Sequence, residues 1–245
     1  MRQKFLPFYD ERKADIDMIV LHCTVHTPEN IVEAFCQHRV SSHYVIGGDG
    51  AIWQMVADDK RAWHAGVSYW RGVRDINSHS VGIELSSPDL GQSDYTTAQK
   101  QSLTELLQKL IKQYAIAPQN IVGHSDIAPT RKADPGRSFF WRELAAAGIG
   151  IWPDNSPLSL AEKSDFNEAD TLALIGYDTA DIKAARLAFC RRFLPESVDD
   201  DADIGNIENH LRAKIEAFAA PQNYHSRLKV VAQQYLMASN TPCKI

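Results

Sequence analysis

Over roughly the first 150 of 245 residues, short apolar runs of strand character alternate with helical periodicity, and that alternation restricts the chain to an α/β architecture with a central sheet. Ile16 to Leu21, with Asp15 and Asp17 at its start, reads as a buried strand ending at His22-Cys23-Thr24. Thr27-Pro28 followed by Glu29 to His38 predicts a helix with Pro28 at its first position. His43 to Gly47 and Ala51 to Val56 are β-rich segments joined across Gly47-Gly48-Asp49-Gly50, a hairpin turn signal. Val81 to Leu85 predicts a further strand. Thr96 and Gln99 have capping-box spacing and open a segment with Leu103, Leu106, Leu107, Leu110, Ile111 and Tyr114 at helical intervals. Ile121-Val122-Gly123-His124 predicts a strand running into a polar loop, and Trp141 to Ala147 a short helix.

Gly, Pro, Asn and Ser cluster within Gly148 to Lys163, where the strand signals stop. Beyond it, Asn167 to Ile175, Thr179 to Phe193, Ile204 to Ala219 and Tyr224 to Ser239 have helical character. The expected organisation is therefore an α/β domain over 1–155 and a small all-α domain over 156–245.

Composition excludes several classes of partner. Lys and Arg number 26 against 31 Asp and Glu, a net charge of −5, so there is no overall basic field to hold nucleic acid. No apolar run approaches the ~18 residues of a membrane span, and no apolar stretch of signal-peptide length follows the opening Met1 to Pro7. A soluble, unexported chain is expected on that basis. Cys23, Cys36, Cys190 and Cys243 form no CxxC pair, so neither a thiolate zinc knuckle nor a disulfide framework is indicated. Asp199-Asp200-Asp201 with Asp203 has no glycine or closing Glu at the spacing of a calcium loop, and reads as a solvated acidic turn.

Seven of the nine histidines lie within the first 124 residues. His22 ends one strand, His124 ends another, and Asp134 follows in a loop punctuated by Pro129 and Pro135. Taken singly, each such histidine is more often a satisfied structural group than a ligand. Together, two imidazoles and one carboxylate are a sufficient set for zinc with a fourth position open to water.

Five strings occur in order: Ile19-Val20-Leu21-His22-Cys23-Thr24; Ser41-Ser42-His43-Tyr44-Val45-Ile46; Ala62-Trp63-His64-Ala65-Gly66; Val81-Gly82-Ile83-Glu84-Leu85; and Gly123 to Pro129 continuing through Arg131-Lys132-Ala133-Asp134-Pro135-Gly136. Together they resemble the zinc-dependent N-acetylmuramoyl-L-alanine amidases of the type 2 class, relatives of the peptidoglycan recognition proteins, over about residues 15 to 145. The resemblance implies a central mixed β-sheet flanked by helices. It also implies one zinc ion on His22, His124 and Asp134, with Glu84 and Lys132 as catalytic residues. Glu84 would move the proton of the attacking water and Lys132 would stabilise the oxyanion. Tyr44, Trp63, His64, Arg39, Arg74 and Asn77 resemble positions lining the family's substrate groove. Cys23, as a strand-end neighbour of His22, is expected on the opposite face.

In the second half, Leu172 to Tyr177 and Ala184 to Phe189 resemble the start of a peptidoglycan-binding helical domain, with Cys190 standing where that family carries Gln. The implied activity is hydrolysis of the bond between N-acetylmuramic acid and L-alanine in peptidoglycan or soluble muropeptides, by a monomer. The alternatives are a non-catalytic peptidoglycan recognition module and a structural zinc site. The appended helices favour wall material in the periplasm or cell envelope if a leader has been removed; without one, the cytoplasm is expected.

Overall fold

The computed structural model describes residues 1–4, 6–153, 167–199 and 207–240. Its main sheet has six strands in the order β1-β5-β4-β7-β3-β8. In chain order these are β1 (Arg2–Gln3), β3 (Met18–Thr24), β4 (Tyr44–Ile46), β5 (Ile52–Gln54), β7 (Ser80–Ser86) and β8 (Ile121–Gly123), while β2 (Tyr9–Glu11) and β6 (Lys60–Ala62) form a separate antiparallel ribbon. The neighbours β4, β7, β3 and β8 run parallel, and β5 turns back antiparallel on β4 through the predicted hairpin. A mixed sheet results. Parallel neighbours require crossovers, supplied by α1 (Ile31–His38) between β3 and β4 and by α3 (Thr97–Tyr114) between β7 and β8, with the short α2 (Ile76–His79) leading into β7.

Interior parallel strands are covered on both faces, so β3 reads as a continuous apolar run rather than an alternating one. The pleat still sorts its side chains. Ile19, Leu21 and Cys23, with Val81, Ile83 and Leu85, share a core with Leu103, Leu107 and Leu110 of α3 and with Trp141 and Leu144 of α5 (Trp141–Ala146). Met18 and Val20, with Val122, share a second core with the C-terminal helices α6 (Glu168–Ile175), α7 (Ile182–Phe193), α8 (Ile207–Ala217) and α9 (Tyr224–Asn240). Trp70 is fully buried there, edge-on to Tyr177 with ring centroids 5.1 Å apart. One apolar core thus joins the sheet to the C-terminal helices. The predicted boundary falls partly on 154–166, and the acidic turn mostly on 200–206, both outside the described residues.

Three local details differ from expectation. α1 starts at Ile31 rather than Pro28, because Asn30 directs its side-chain oxygen back to the Thr27 N–H at 2.8 Å and leaves Pro28 in the preceding turn. His124 does not open a loop but begins a single helical turn, α4 (His124–Ile127). β1, β2 and β6 carry no apolar periodicity to read. The β2–β6 ribbon is held instead by cross-strand charges, with Lys60 at 2.8 Å from Glu11 and Arg61 at 2.9 Å from Asp10. No described helix is long and apolar enough to cross a membrane.

Candidate active site

Strand register assembles the site. His22 of β3 is paired with Glu84 of β7, so their side chains emerge on one face as lateral neighbours, and Leu21 is paired with Gly123, which puts His124 just past the end of β8 on the other side of His22. The row lies toward the carboxyl ends of parallel strands, where open α/β sheets form their crevice. Asp134 arrives on the loop between α4 and α5, which is tied to α4 by a Ser125 N–H to Asp134 carbonyl bond of 2.8 Å. That loop packs so closely that a Cβ on Gly136, whose φ is 89°, would meet the Gly91 carbonyl oxygen at 2.6 Å.

His22 Nδ1 is 2.9 Å from His124 Nδ1 and 3.3 Å from Asp134 Oδ2, and His124 Nδ1 is 3.1 Å from the same oxygen. Two ligands about 2.0–2.2 Å from a tetrahedral ion lie roughly 3.3 Å apart, so this triangle has the edge length of three ligands on one ion. The donor chemistry agrees. His124 Nε2 is 3.3 Å from the Ala65 carbonyl, an acceptor only, so a ring proton sits there and Nδ1 is the nitrogen turned inward toward the carboxylate. Donor atoms that converge at this distance suit a shared cation, a proton or a metal ion, between them. Among the described residues, these three form the group able to hold a metal ion.

Electrostatics favours the same state. Burial, reinforced by the charge of His124, holds His22 down at about 4, so its ring is neutral at pH 7. Burial and then the neighbouring rings of His22 and His43 likewise hold His64 well below its ordinary value. For Asp134 burial acts upward, but the charge and hydrogen bonds of His124 and His22 outweigh it and keep the carboxyl well below the usual range. Glu84 goes the other way. Burial and the charge of Asp134, partly offset by Lys132, push it up to about 8, and its Oε2 is sealed from solvent without a hydrogen-bond partner among the described residues.

The raised Glu84 gives the metal-free protein a pH dependence of definite sign. The folded state keeps a proton on Glu84 up to about pH 8, whereas the unfolded chain releases it near the ordinary value of 4.5. Stability therefore falls as pH rises between these values, and Glu84→Gln flattens that part of the profile. Thermal unfolding of the chelator-treated proteins across this range measures the effect, and parallel profiles would contradict it.

A cavity of about 220 Å³ opens over the cluster, lined by His22, Glu84, Lys132 and Asp134 together with Trp63 and His64. Four other predicted substrate contacts stand outside this lining. Tyr44 is buried and donates its hydroxyl to Asp58 at 2.7 Å. Asn77 is buried and accepts from the His64 and Ala65 N–H groups at 3.1 and 2.8 Å, so it shapes the segment that carries Trp63 and His64. Arg39 is the exposed left-handed C-cap of α1, beside the cavity residue Val40. Arg74 lies over Tyr69, 5.0 Å from its ring centroid, in a separate depression of about 240 Å³ shared with Asp178. Cys23 packs in the core with Ile19 and Leu21, and it also edges the cavity. Sequence inspection passed over Ser80, which contacts His64, and Asp126 and Arg192, which fasten α4. Serines and arginines of this kind carry no local signal, because their partners are distant in the chain.

A mixed α/β sheet with an open two-histidine, one-aspartate cluster beside a half-buried carboxylate defines the class: a metal-dependent hydrolase. Residues 12–137 match the family model described as N-acetylmuramoyl-L-alanine amidase (Amidase_2), and the chain belongs to that family. It is 35% identical over 216 residues to the N-acetylmuramoyl-L-alanine amidase AmiD of Escherichia coli, covering 77% of this chain and 78% of that protein. It is 48% identical over 108 residues to the 1,6-anhydro-N-acetylmuramyl-L-alanine amidase AmpD of Citrobacter freundii, covering 44% of this chain and 57% of that one. The solved complex of the E. coli AmiD with the substrate anhydro-N-acetylmuramic acid-L-Ala-D-gamma-Glu-L-Lys superposes with a TM-score of 0.72 at 29% identity, over 92% of this chain and 93% of that chain.

Proposed function

We propose that this protein hydrolyses the amide bond between the lactyl group of N-acetylmuramic acid and the L-alanine of the stem peptide, in peptidoglycan or soluble muropeptides, with one zinc ion held by His22, His124 and Asp134. The observation that carries the proposal is the triangle of donor atoms, with edges of 2.9, 3.1 and 3.3 Å, opening on a cavity that Glu84 and Lys132 also line. Nitrogen and oxygen donors in a three-residue set suit zinc with one position left open. Zinc, when bound, supplies a water that ionises near neutral pH and polarises the amide carbonyl.

The chain's own residues do the rest. Glu84, paired in register with His22, takes the proton of the attacking water and returns it to the leaving amine nitrogen. Lys132, two positions before Asp134 in the same loop, offsets the negative charge that develops on the carbonyl oxygen. Trp63 offers the cavity an apolar face for the sugar ring, and Arg39, next in the chain to the cavity residue Val40, offers a cation to the acidic stem peptide.

Incubation of the purified protein with anhydro-N-acetylmuramic acid-L-Ala-D-γ-Glu-L-Lys tests the proposal. A new free amine is expected, falling to background after chelation and restored by zinc. Tight binding with no new amine in the zinc-loaded protein would instead mark a recognition module. Running intact sacculi alongside the soluble compound identifies the preferred substrate.

A further inference from the structure

His64 lies edge-on to His22, with ring centroids 5.1 Å apart at 87°, over the one residue of β7 that has no side chain. A Cβ on Gly82 would meet His64 Cγ at 2.5 Å, so the ring occupies space that only a glycine leaves free. Both ring nitrogens are engaged. Nδ1 is 3.0 Å from His22 Nε2, and Nε2 is 3.1 Å from Ser80 Oγ.

These contacts have a direction. The Ser80 hydroxyl has one proton, and it is donated to the Ile76 carbonyl oxygen at 2.6 Å, so toward His64 the serine oxygen can only accept. His64 therefore carries its proton on Nε2 and leaves Nδ1 bare. A bare Nδ1 accepts from His22 Nε2–H, which leaves His22 Nδ1 as the ring nitrogen that faces His124 and Asp134. A backbone carbonyl at the far end of the chain of contacts thus determines which nitrogen His22 offers. It also means that His64, although it lines the cavity, has no ring nitrogen left to bind substrate.

We propose that His64, aligned by Ser80, is a positioning residue that locks His22 in its Nε2–H tautomer and so aims His22 Nδ1 at the metal. This inference rests on the metal-centre reading above, and it gives His64 a role other than substrate contact. Ligating histidines are commonly held through their second nitrogen, and loss of such a partner weakens metal binding by about 10–100-fold.

The test uses long-range ¹⁵N–¹H correlation spectra of the imidazole rings in the metal-free protein, together with zinc affinity from chelator competition. The wild type is expected to show His22 as the Nε2–H form. His64→Leu releases the ring, so the Nδ1–H form of His22 appears and zinc affinity falls by about 10–100-fold. His64→Gln keeps an acceptor for His22 and a donor for Ser80, and holds both readouts close to wild type. Unchanged tautomer and affinity in His64→Leu would overturn the proposal, as would equal losses in the Leu and Gln variants, which mark a packing role. Should His64→Leu fail to fold, Ser80→Ala leaves the ring in place and removes only its acceptor. The Nδ1–H form of His22 is then expected, and its absence overturns the proposal. The tautomer is read without zinc or turnover, so a wild type that fails to release amine refutes the amidase reading separately.

Discussion

Glu84→Gln is expected to lower kcat by about 10²–10⁴-fold while zinc content and the unfolding temperature of the zinc-loaded protein stay close to wild type. The amide nearly matches the carboxyl in shape, so nothing in the β7 packing or the β3–β7 register has reason to change. It cannot carry a proton between the attacking water and the leaving amine. The metal ligands keep their own contacts, since Glu84 Oε2 bonds to none of them among the described residues. Release of free amine from the anhydromuropeptide gives kcat, and metal analysis of the same sample gives zinc content. Turnover within tenfold of wild type would exclude Glu84 as the proton carrier; loss of zinc along with turnover would make it part of the metal-holding structure.

What could be read in the sequence depended on how local the governing interaction was. The capping box of α3 was legible because it spans three residues, and both bonds are present, Gln99 N–H to Thr96 Oγ1 at 3.1 Å and Thr96 N–H to Gln99 Oε1 at 3.2 Å. β3 and β7 were legible because interior strands of a parallel sheet need unbroken apolar sequence. His22, His124 and Asp134 stood out through the strings around them, and the fold brings them within one ion's reach. Tyr44 and Asn77 show where this kind of legibility ends. Each sits in or near a matching string, yet the Tyr44 hydroxyl is spent on Asp58 and the Asn77 amide oxygen on two backbone N–H groups. A polar residue that shapes a loop from beneath and one that meets a ligand look alike in one dimension. The same holds for charge. Nothing local to Arg192 shows that it is only 2% exposed, because the carboxylate it meets lies 66 residues away.

That pairing leads to the second large expected effect: Arg192→Met should cost about 3–5 kcal/mol of folding stability, measured by urea unfolding. Arg192 Nη1 lies 2.6 Å from Asp126 Oδ2, Nη2 donates to the Ile121 carbonyl at 3.0 Å, and the guanidinium sits 4.1 Å from the Trp141 ring centroid. Asp126 also accepts from the Gly123 N–H at 2.8 Å and the Tyr177 hydroxyl at 2.7 Å. Helix α7 and Tyr177, two residues past the end of α6, therefore grip the segment 121–127, which carries His124. Methionine fills much of the space but strands the carboxylate in a site with 1% side-chain exposure, and the uncompensated charge, rather than the lost attraction, sets the size of the effect. Adding Asp126→Asn to Arg192→Met should recover part of the loss, because it removes the stranded charge; the double-mutant cycle isolates that coupling. Zinc affinity should weaken in Arg192→Met as well, since the turn presenting His124 loses its fastening. A stability loss below about 1 kcal/mol would show that the C-terminal helices hold the sheet through apolar contacts alone and that α4 keeps its place without them.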